Sequence, residues 1–589
     1  MTSFQRPPLG SGQLVLLATL VGVISGVGAF AFYFLLDLCT DVFLSGLDSY
    51  TPPPAGGEVD VVSLNFHASL LPLYLIPAIG GLLSGLIVYT FAPEAEGHGT
   101  DAVIRAFHRM RGEIRSRVPI IKMIASSITI GSGGSAGREG PIIQIGAGFG
   151  SALASLLNLS DRDRRILLVC GMAGGIGSIF RSPFGGAIFG IEVLYKRDYE
   201  VEAIVPAFIS SITAFIVFEL IIGHIAGVHF GMLPIFSIPN FTFSSPLEML
   251  LCVPLGLFAG VIGILYINTF YSIHNAFKKL NISPYLKPVI GGLVTGVIGF
   301  YVPQVLGMGY GYVQEALYGK LAIYVIIAAI FGKIVATSFT IGSGGSGGVF
   351  APSIVIGSMV GAFFGYVFHD IIPVTAQPGS YVLIGMAAFV AGVAKTPIAA
   401  VLMVLEMSGG YNLLPALLLA STVAYYITGD RSIYAEQVAT KLESPAHRGE
   451  LSVDILQKIK VSEAMTPADK IITVSPSSTV MDVLELIEKT GHIGFPVVEN
   501  GRLVGIVTFE DVEKVPIEER ETTSVGEIMS RSVIVTYPDE SLEEALVKLA
   551  TYDIGRLPVV SREDEGKLLG LITRSAIIRA HARATRSVE

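Results

Sequence analysis

One segment of this chain returns 211 residues later, and that recurrence constrains the fold more than any other feature. Lys122–Ala154 reads KMIASSITIGSGGSAGREGPIIQIGAGFGSALA, and Lys333–Gly365 reads KIVATSFTIGSGGSGGVFAPSIVIGSMVGAFFG. Each copy has a lysine, a small and apolar stretch, the identical TIGSGGS, and then a proline that opens a new apolar run. They diverge at Arg138-Glu139-Gly140-Pro141 and Val349-Phe350-Ala351-Pro352, as two helix ends with separate tasks would. Two glycine-rich interruptions related by an internal repeat predict a transport site built from broken helices.

The interruptions sit in membrane-like sequence. Of 589 residues, 51% are hydrophobic and only 15% are charged, which excludes an ordinary soluble globular protein. Segments 12–36, 69–92, 203–228, 247–270, 288–305, 321–338 and 412–428 are long enough to cross a bilayer. The 67 glycines suit close helix packing in lipid and also interrupt helices. Residues 37–70 lack Lys and Arg but carry Asp37, Asp41, Asp48, Glu58 and Asp60, whereas 105–117 carry Arg105, Arg109, Arg111, Arg115 and Arg117. The positive-inside rule then places the first loop outside and the second loop and the N-terminus in the cytoplasm. The opening MTSFQRPPLGSG lacks a signal-peptide cleavage pattern, so the first span is expected to be retained, as suits a multi-pass protein of a prokaryotic plasma membrane. Cys39, Cys170 and Cys252 are too scattered for a disulfide framework or a metal site.

A second pair of segments extends the repeat. Gly171 with Gly385, Pro183 with Pro397 and Glu192 with Glu406 each keep an offset of 214. The membrane part, 1–442, is expected to be all-α, in two related halves of about 12–225 and 245–442. Similarity alone leaves their relative direction open; an inverted pair, the expected arrangement, brings the two breaks together near the bilayer midplane. A polar linker, 443–460, precedes two soluble repeats, 461–517 and 525–583. Each has a Met near its start (Met465, Met529), an amphipathic helix (Val480–Thr490, Leu542–Tyr552), a Pro-Val-Val strand and a Gly-aliphatic-aliphatic-Thr strand. This α/β pattern resembles a pair of CBS domains, which implies adenine-nucleotide binding.

Proline in a first turn costs a helix nothing, and glycines ahead of it let the backbone turn sharply and approach a ligand. The first N–H groups of the new helix are then free at the positive end of its dipole, where an anion binds. Two such ends aimed at one place hold an anion without trapping it against a full positive charge. Glu139 stands at one of them. Its carboxylate can occupy the anion's place, and protonation would release it; a plain helix cap is the simpler reading of the same residue.

Gly137-Arg138-Glu139-Gly140-Pro141, Gly348-Val349-Phe350-Ala351-Pro352 and the late Tyr434 resemble the filter motifs and pore tyrosine of the CLC family of chloride channels and chloride/proton antiporters. The resemblance implies that Glu139 is the gate. It implies further that Gly140 and the N–H groups of Val349, Phe350 and Ala351 line the anion site, and that Tyr434 donates its hydroxyl to it. Arg138 would bias the field toward anions. A homodimer with one pore per subunit, chloride as cargo, protons as a second cargo in the antiporters, and no required cofactor also follow from the likeness. Tyr434 as an interfacial aromatic is the alternative, as are Lys122 and Lys333 snorkelling to the inner surface rather than shaping the field.

Two departures from the family matter. Its first motif, Gly-Ser-Gly-x-Pro, matches Gly97-His98-Gly99-Thr100-Asp101, with His98 in place of the anion-contacting serine and no proline. A neutral imidazole donates one N–H to chloride, a protonated one binds it more tightly with pH dependence near neutrality, or the ring turns away and backbone amides serve. Second, antiporters carry a proton-accepting glutamate directly after the position of Glu192, where this chain has Val193. That pattern favours a passive voltage- or pH-gated chloride channel, with a chloride/proton antiporter as the alternative and Glu200, Glu202 or water as other proton routes. In the first CBS repeat Thr508 and Asp511 match the ribose motif, while Ala576 replaces the aspartate in the second. At most one nucleotide site per chain is therefore expected, unless the pair is purely structural.

Competing classes are weaker. A CBS-bearing divalent-cation transporter needs acidic or carbonyl-rich sites, which opposed helix N-termini oppose. No His-Glu-x-x-His or Ser/His pair marks an intramembrane enzyme, and His224 and His229 are spaced for water or headgroups rather than for a metal. Nothing in the composition suggests a nucleic-acid partner.

Overall fold

A computed structural model describes residues 9–64, 70–226, 234–239, 241, 245–372, 375–447 and 456–586. His229 and residues 448–450 lie outside them. The chain forms two compact units, Met1–Ala446 and His447–Glu589.

Among the described residues of the first unit there are sixteen α-helices: α1 (Ser11–Thr40), α2 (Ile76–Phe91), α3 (Thr100–Arg109), α4 (Val118–Gly131), α5 (Glu139–Leu156), α6 (Asp161–Ile179), α7 (Pro183–Glu192), α8 (Ile204–Ala226), α9 (Cys252–Lys279), α10 (Lys287–Tyr301), α11 (Tyr310–Leu317), α12 (Ile323–Gly342), α13 (Phe350–Ile371), α14 (Pro378–Ala394), α15 (Pro397–Ser408) and α16 (Leu414–Thr428). Seven helical stretches are long and apolar enough to cross a membrane. Six coincide with segments expected from the sequence. The segment at 288–305 forms only the 15-residue α10, and the seventh long stretch is α13, whose glycine- and proline-rich start had marked a break rather than a span. Helices α3, α7 and α11, at 8–10 residues, are too short to cross a bilayer and end inside the protein.

The two halves are inverted. Gly137 and its repeat mate Gly348 form an isolated antiparallel bridge, exchanging N–H···O=C bonds of 2.8 and 2.6 Å. An antiparallel bridge between equivalent residues places a local two-fold axis between them. A second exchange agrees with that axis. Glu192, at the end of α7, accepts the N–H groups of Ile398 (3.2 Å) and Ala399 (2.8 Å) at the start of α15. Its mate Glu406, at the end of α15, accepts those of Phe184 (3.2 Å) and Gly185 (2.8 Å) at the start of α7.

Glycines set the helix spacing identically in both halves. A Cβ on Gly146 of α5 would stand 2.0 Å from the Gly171 carbonyl of α6, and one on Gly171 2.0 Å from the Gly146 carbonyl. Their mates Gly357 and Gly385 make the same reciprocal contact at 2.6 and 2.4 Å between α13 and α14. Gly22 and Gly26 of α1 lie on Ser210 and Ala214 of α8, as Gly256 and Gly260 of α9 lie on α16. This small-xxx-small spacing lets backbones approach where lipid gives no hydrophobic drive for helix association.

In the second unit β2 (Gly494–Glu499) pairs antiparallel with β3 (Arg502–Thr508), and β4 (Arg556–Val560) with β5 (Leu568–Thr573). Each sheet borrows an edge from the other repeat: β1 (Thr466–Pro467) pairs with β5, and Ser530 bridges Ile506. The borrowed edges explain the two methionines, because Met465 packs over Gly570 and Met529 over Gly505.

Gly171→Val should overlap a backbone carbonyl that cannot move aside. Overpacking of a core typically costs about 1–3 kcal/mol, and we expect a loss at or beyond that upper figure. Gly12→Val, with nothing within 4 Å of its added carbon, should extract and run monodisperse like the parent. Equal behaviour of the two in size-exclusion and thermal-melt measurements would contradict the packing described.

Candidate functional site

Three interrupted elements converge where the halves meet. The loop before α3, with Gly97 at φ +70° and Gly99 at φ +82°, uses left-handed backbone that other residues rarely adopt. The Gly97 carbonyl accepts the N–H of Gly347 (3.2 Å), just ahead of α13. The His98 carbonyl lies so close to Gly140 that an added Cβ there would approach it to 1.9 Å, with the Gly348 Cα 3.0 Å away. The starts of α3, α5 and α13 therefore share one small volume, tied together by the Gly137–Gly348 bridge.

Glu139 is 1% exposed. Its carboxylate folds back over Gly137, and Oε1 accepts the backbone N–H of Ala351 in the first turn of α13. This is the seat an anion would take at that helix start, and the carboxylate fills it. Val349 is the N-cap of α13, and the Phe350 ring packs edge-on against Phe189 of α7 at 5.5 Å.

Arg138 points away from this seat. Its guanidinium is enclosed by the rings of Tyr33, Phe180 and Tyr310 at 5.3–5.6 Å, and Nη1 lies 2.9 Å from Glu58 of the first loop. The sequence counted Glu58 only as part of an acidic loop. Nothing in its pattern named Arg138 as the partner.

Lys122 and Lys333 do not snorkel. Both are completely buried. Lys122 Nζ donates to the carbonyls of Ala95 (3.0 Å) and Gly97 (2.7 Å), and Lys333 Nζ to those of Val305 (2.9 Å) and Gly307 (2.8 Å). Each lysine braces a Gly-x-Gly turn that opens a short helix, Gly97-His98-Gly99 before α3 and Gly307-Met308-Gly309 before α11. That third repeat, at an offset of 210, is inconspicuous in the sequence because only its two glycines recur in the turn.

Tyr434 is buried rather than interfacial, its ring centroid 5.5 Å from that of His98. His98 does not turn toward solvent: Nε2 lies 3.3 Å from Asp101 Oδ2. Asp101 in turn accepts the N–H groups of Ala435 and Glu436, both at 3.2 Å, and so pins the segment carrying Tyr434 to the start of α3. His98 and Asp101 line a cavity of about 790 Å³ with Gln144, Phe270, Tyr271 and His274.

Val193 is fully buried, and its carbonyl accepts from Gln437 Nε2 (2.8 Å). Glu192 is the carboxylate that reaches a separate cavity, of about 490 Å³, beside Tyr199, Lys395 and Tyr425; the Tyr199 hydroxyl donates to it at 3.3 Å. Glu200 is held by Tyr195 (2.7 Å) and Lys441 (3.1 Å), and Glu202 by Arg162 (2.8 Å), so both are engaged elsewhere. In the second unit Asp511 accepts the N–H (3.0 Å) and hydroxyl (2.8 Å) of Thr508 in a capping box, which presents both side chains at one helix start.

An inverted-repeat membrane protein with opposed helix N-termini around a carboxylate is an anion transporter in its architecture. The family model for the voltage gated chloride channel matches residues 80–429, and that for the CBS domain matches 461–518 and 525–583. The chain belongs to this CLC family and carries a CBS pair. It is 31% identical over 373 residues to the putative chloride channel protein ClcB-like of Ralstonia nicotianae, covering 62% of this chain and 85% of that one. It is 29% identical over 390 residues to the H(+)/Cl(-) exchange transporter ClcA of Vibrio parahaemolyticus, covering 64% and 82%. Its fold matches that of a slow cyanobacterial Cl-/H+ antiporter with a TM-score of 0.61 at 24% identity, covering 72% of this chain and 96% of that one.

Removing one member of a buried ion pair strands the other, typically at about 3–5 kcal/mol. Arg138→Met is expected to destabilise by roughly that amount, and Arg138→Met with Glu58→Met to recover more than half of the loss. Equal melting temperatures for the single and double variants would show that Glu58 and Arg138 are not coupled.

Proposed function

We propose that this protein exchanges chloride for protons, with Glu139 as the gate. The observation that carries the proposal is the Glu139 carboxylate seated on the Ala351 amide. A carboxylate leaves such a seat readily only when it is neutralised, so proton uptake and anion entry become two sides of one event. The names of similar proteins support the same reading, since ClcA is an H(+)/Cl(-) exchange transporter and the cyanobacterial structure is a Cl-/H+ antiporter.

The passive channel expected from Val193 takes second place. Valine cannot carry a proton, but Glu192 one residue earlier faces its own cavity, with Tyr199 donating to it. In the proposed cycle chloride is held by the first N–H groups of α13 and by Tyr434, while the proton reaches Glu139 from the side of Glu192. Arg138 contributes field only, its charge being matched by Glu58. The proposal further comprises a cytoplasmic CBS pair binding one adenine nucleotide through Thr508 and Asp511. It includes a homodimer in the bilayer, for which the outward apolar stripe Val205, Ile212, Ile216 and Leu220 of α8 is a candidate contact.

In liposomes with the membrane potential clamped at zero, an inward chloride gradient should drive protons outward against their own gradient. Glu139→Gln, which replaces the carboxylate with a neutral amide, should abolish proton movement while chloride still crosses. Chloride flux without proton movement in the parent protein would establish the channel instead. Loss of one charge-assisted pair of hydrogen bonds, worth about 1.5–3 kcal/mol, should weaken adenine-nucleotide binding roughly tenfold or more in Asp511→Ala. Unchanged calorimetry would move that site elsewhere.

A further inference from the structure

His98 is 8% exposed, and its two ring nitrogens are in different situations. Nε2 lies 3.3 Å from the Asp101 carboxylate. Nδ1, on the opposite edge, has no hydrogen-bond partner among the described residues. Asp101 is held in place as an acceptor by the N–H groups of Ala435 and Glu436. A fixed carboxylate selects the tautomer of a neutral imidazole. The single proton sits on Nε2, directed at Asp101, and Nδ1 is left as a bare lone pair.

This lone pair belongs to a ring at the start of α3, a 10-residue helix whose first N–H groups favour an anion, with the Tyr434 ring 5.5 Å away. A lone pair there opposes an anion, and a protonated Nδ1–H donates to it. We propose that His98 is a proton-loaded anion ligand: chloride seats against the α3 start when Nδ1 carries a proton, and Asp101 is the positioning residue that enforces this dependence. Protonation makes one new N–H bond, the added positive charge faces both Asp101 and the anion, and no other group need change. Chloride loading at this end of the pathway thus brings its own proton, distinct from the one on Glu139. The inference deepens the exchange reading, and it rests on that reading for chloride as the anion.

The neighbouring charged and titratable groups each have partners of their own, and the variants at His98 separate its effect from theirs. Lys122 of α4 is committed to the carbonyls of Ala95 and Gly97. Tyr271 of α9 donates to the Ile433 carbonyl (2.7 Å), and Glu436 pairs with Arg105 (2.9 Å). Glu96, also lining the cavity, lies beside Gly344 of the loop before α13. His274 of α9 is the one other histidine lining this cavity among the described residues; it is parallel to the Phe270 ring at 6.3 Å, the ring His98 also faces. Glu139 and His274 therefore have to be controlled in any test.

Chloride binding to the purified full-length Glu139→Gln protein is measured by calorimetry at pH 5.5 and pH 8, so that the gate no longer titrates. Affinity is expected to fall about tenfold or more at the higher pH, as it must for an anion held by a ligand that needs its own proton. His98→Ser in the same background should bind with an affinity independent of pH, and His274→Asn should keep the full dependence. Asp101→Asn, lacking the charge that fixes the tautomer, should shrink the ratio to about threefold or less, as the Nδ1–H tautomer becomes accessible at pH 8. A flat profile in Glu139→Gln overturns the proposal without any variant at His98 being needed. A profile unchanged by His98→Ser, or abolished by His274→Asn, overturns it as well. None of these results bears on proton exchange, which is decided separately by the liposome measurement.

Discussion

A helix that begins inside a membrane exposes N–H groups that neither lipid nor its own backbone can satisfy, and the architecture here answers that constraint repeatedly. The starts of α7, α15 and α13 each receive a carboxylate from elsewhere in the chain: Glu406, Glu192 and Glu139. The chemistry is the same in all three, and only the tethering differs. Glu406 and Glu192 lie at the far ends of the helices that exchange caps, so releasing either would part α7 from α15. Glu139 is the first residue of its own helix, between Gly137 and Gly140, and its side chain can leave without moving a backbone element. If Glu139 gates as proposed, a structural cap and a gate are one interaction with different freedom to let go.

The pseudo-two-fold axis makes such economy possible. Reciprocal glycine contacts bring α5 to α6 and α13 to α14, and paired buried lysines brace both Gly-x-Gly turns. A buried ammonium is costly unless its protons are satisfied. Each of these lysines is held by two carbonyls beneath a helix start. On the proposed reading, the field at the site comes from the partial charges of helix starts rather than from an exposed arginine. Arg138, the residue that sequence alone would nominate, has its charge matched by Glu58 and three aromatic faces.

How much of this was legible follows from what repeats. TIGSGGS, the paired prolines and the Glu192–Glu406 offset disclosed two halves and both helix breaks, and the periodicities of the tail disclosed its strands and helices. Direction was not legible, because similarity is blind to inversion until Gly137 is seen to pair with Gly348. Lys122 and Lys333 were misread as possible snorkels because their acceptors lie more than twenty residues upstream, in turns whose sequences share little beyond glycine. Attention fell on Val193 because a motif was missing its second glutamate. The fold buries that position and leaves Glu192 at a cavity, which only the end of α7 could reveal.

The segment after α16 ties one side of the site to several elements at once. Tyr434 is placed by its neighbours: Asp101 takes the next two backbone N–H groups, and Gln437 donates to the carbonyls of Val193 (2.8 Å) and Ala394 (3.1 Å). One short stretch of irregular chain is thereby fastened to the start of α3, the end of α7 and the end of α14. Displacing Tyr434 far enough to change access from that side must strain or break bonds on all three elements together. The His98–Asp101 pair sits at that junction, because His98 contacts the same carboxylate that anchors the segment. Ring and backbone thus meet at α3 through contacts that are individually modest and share a single carboxylate.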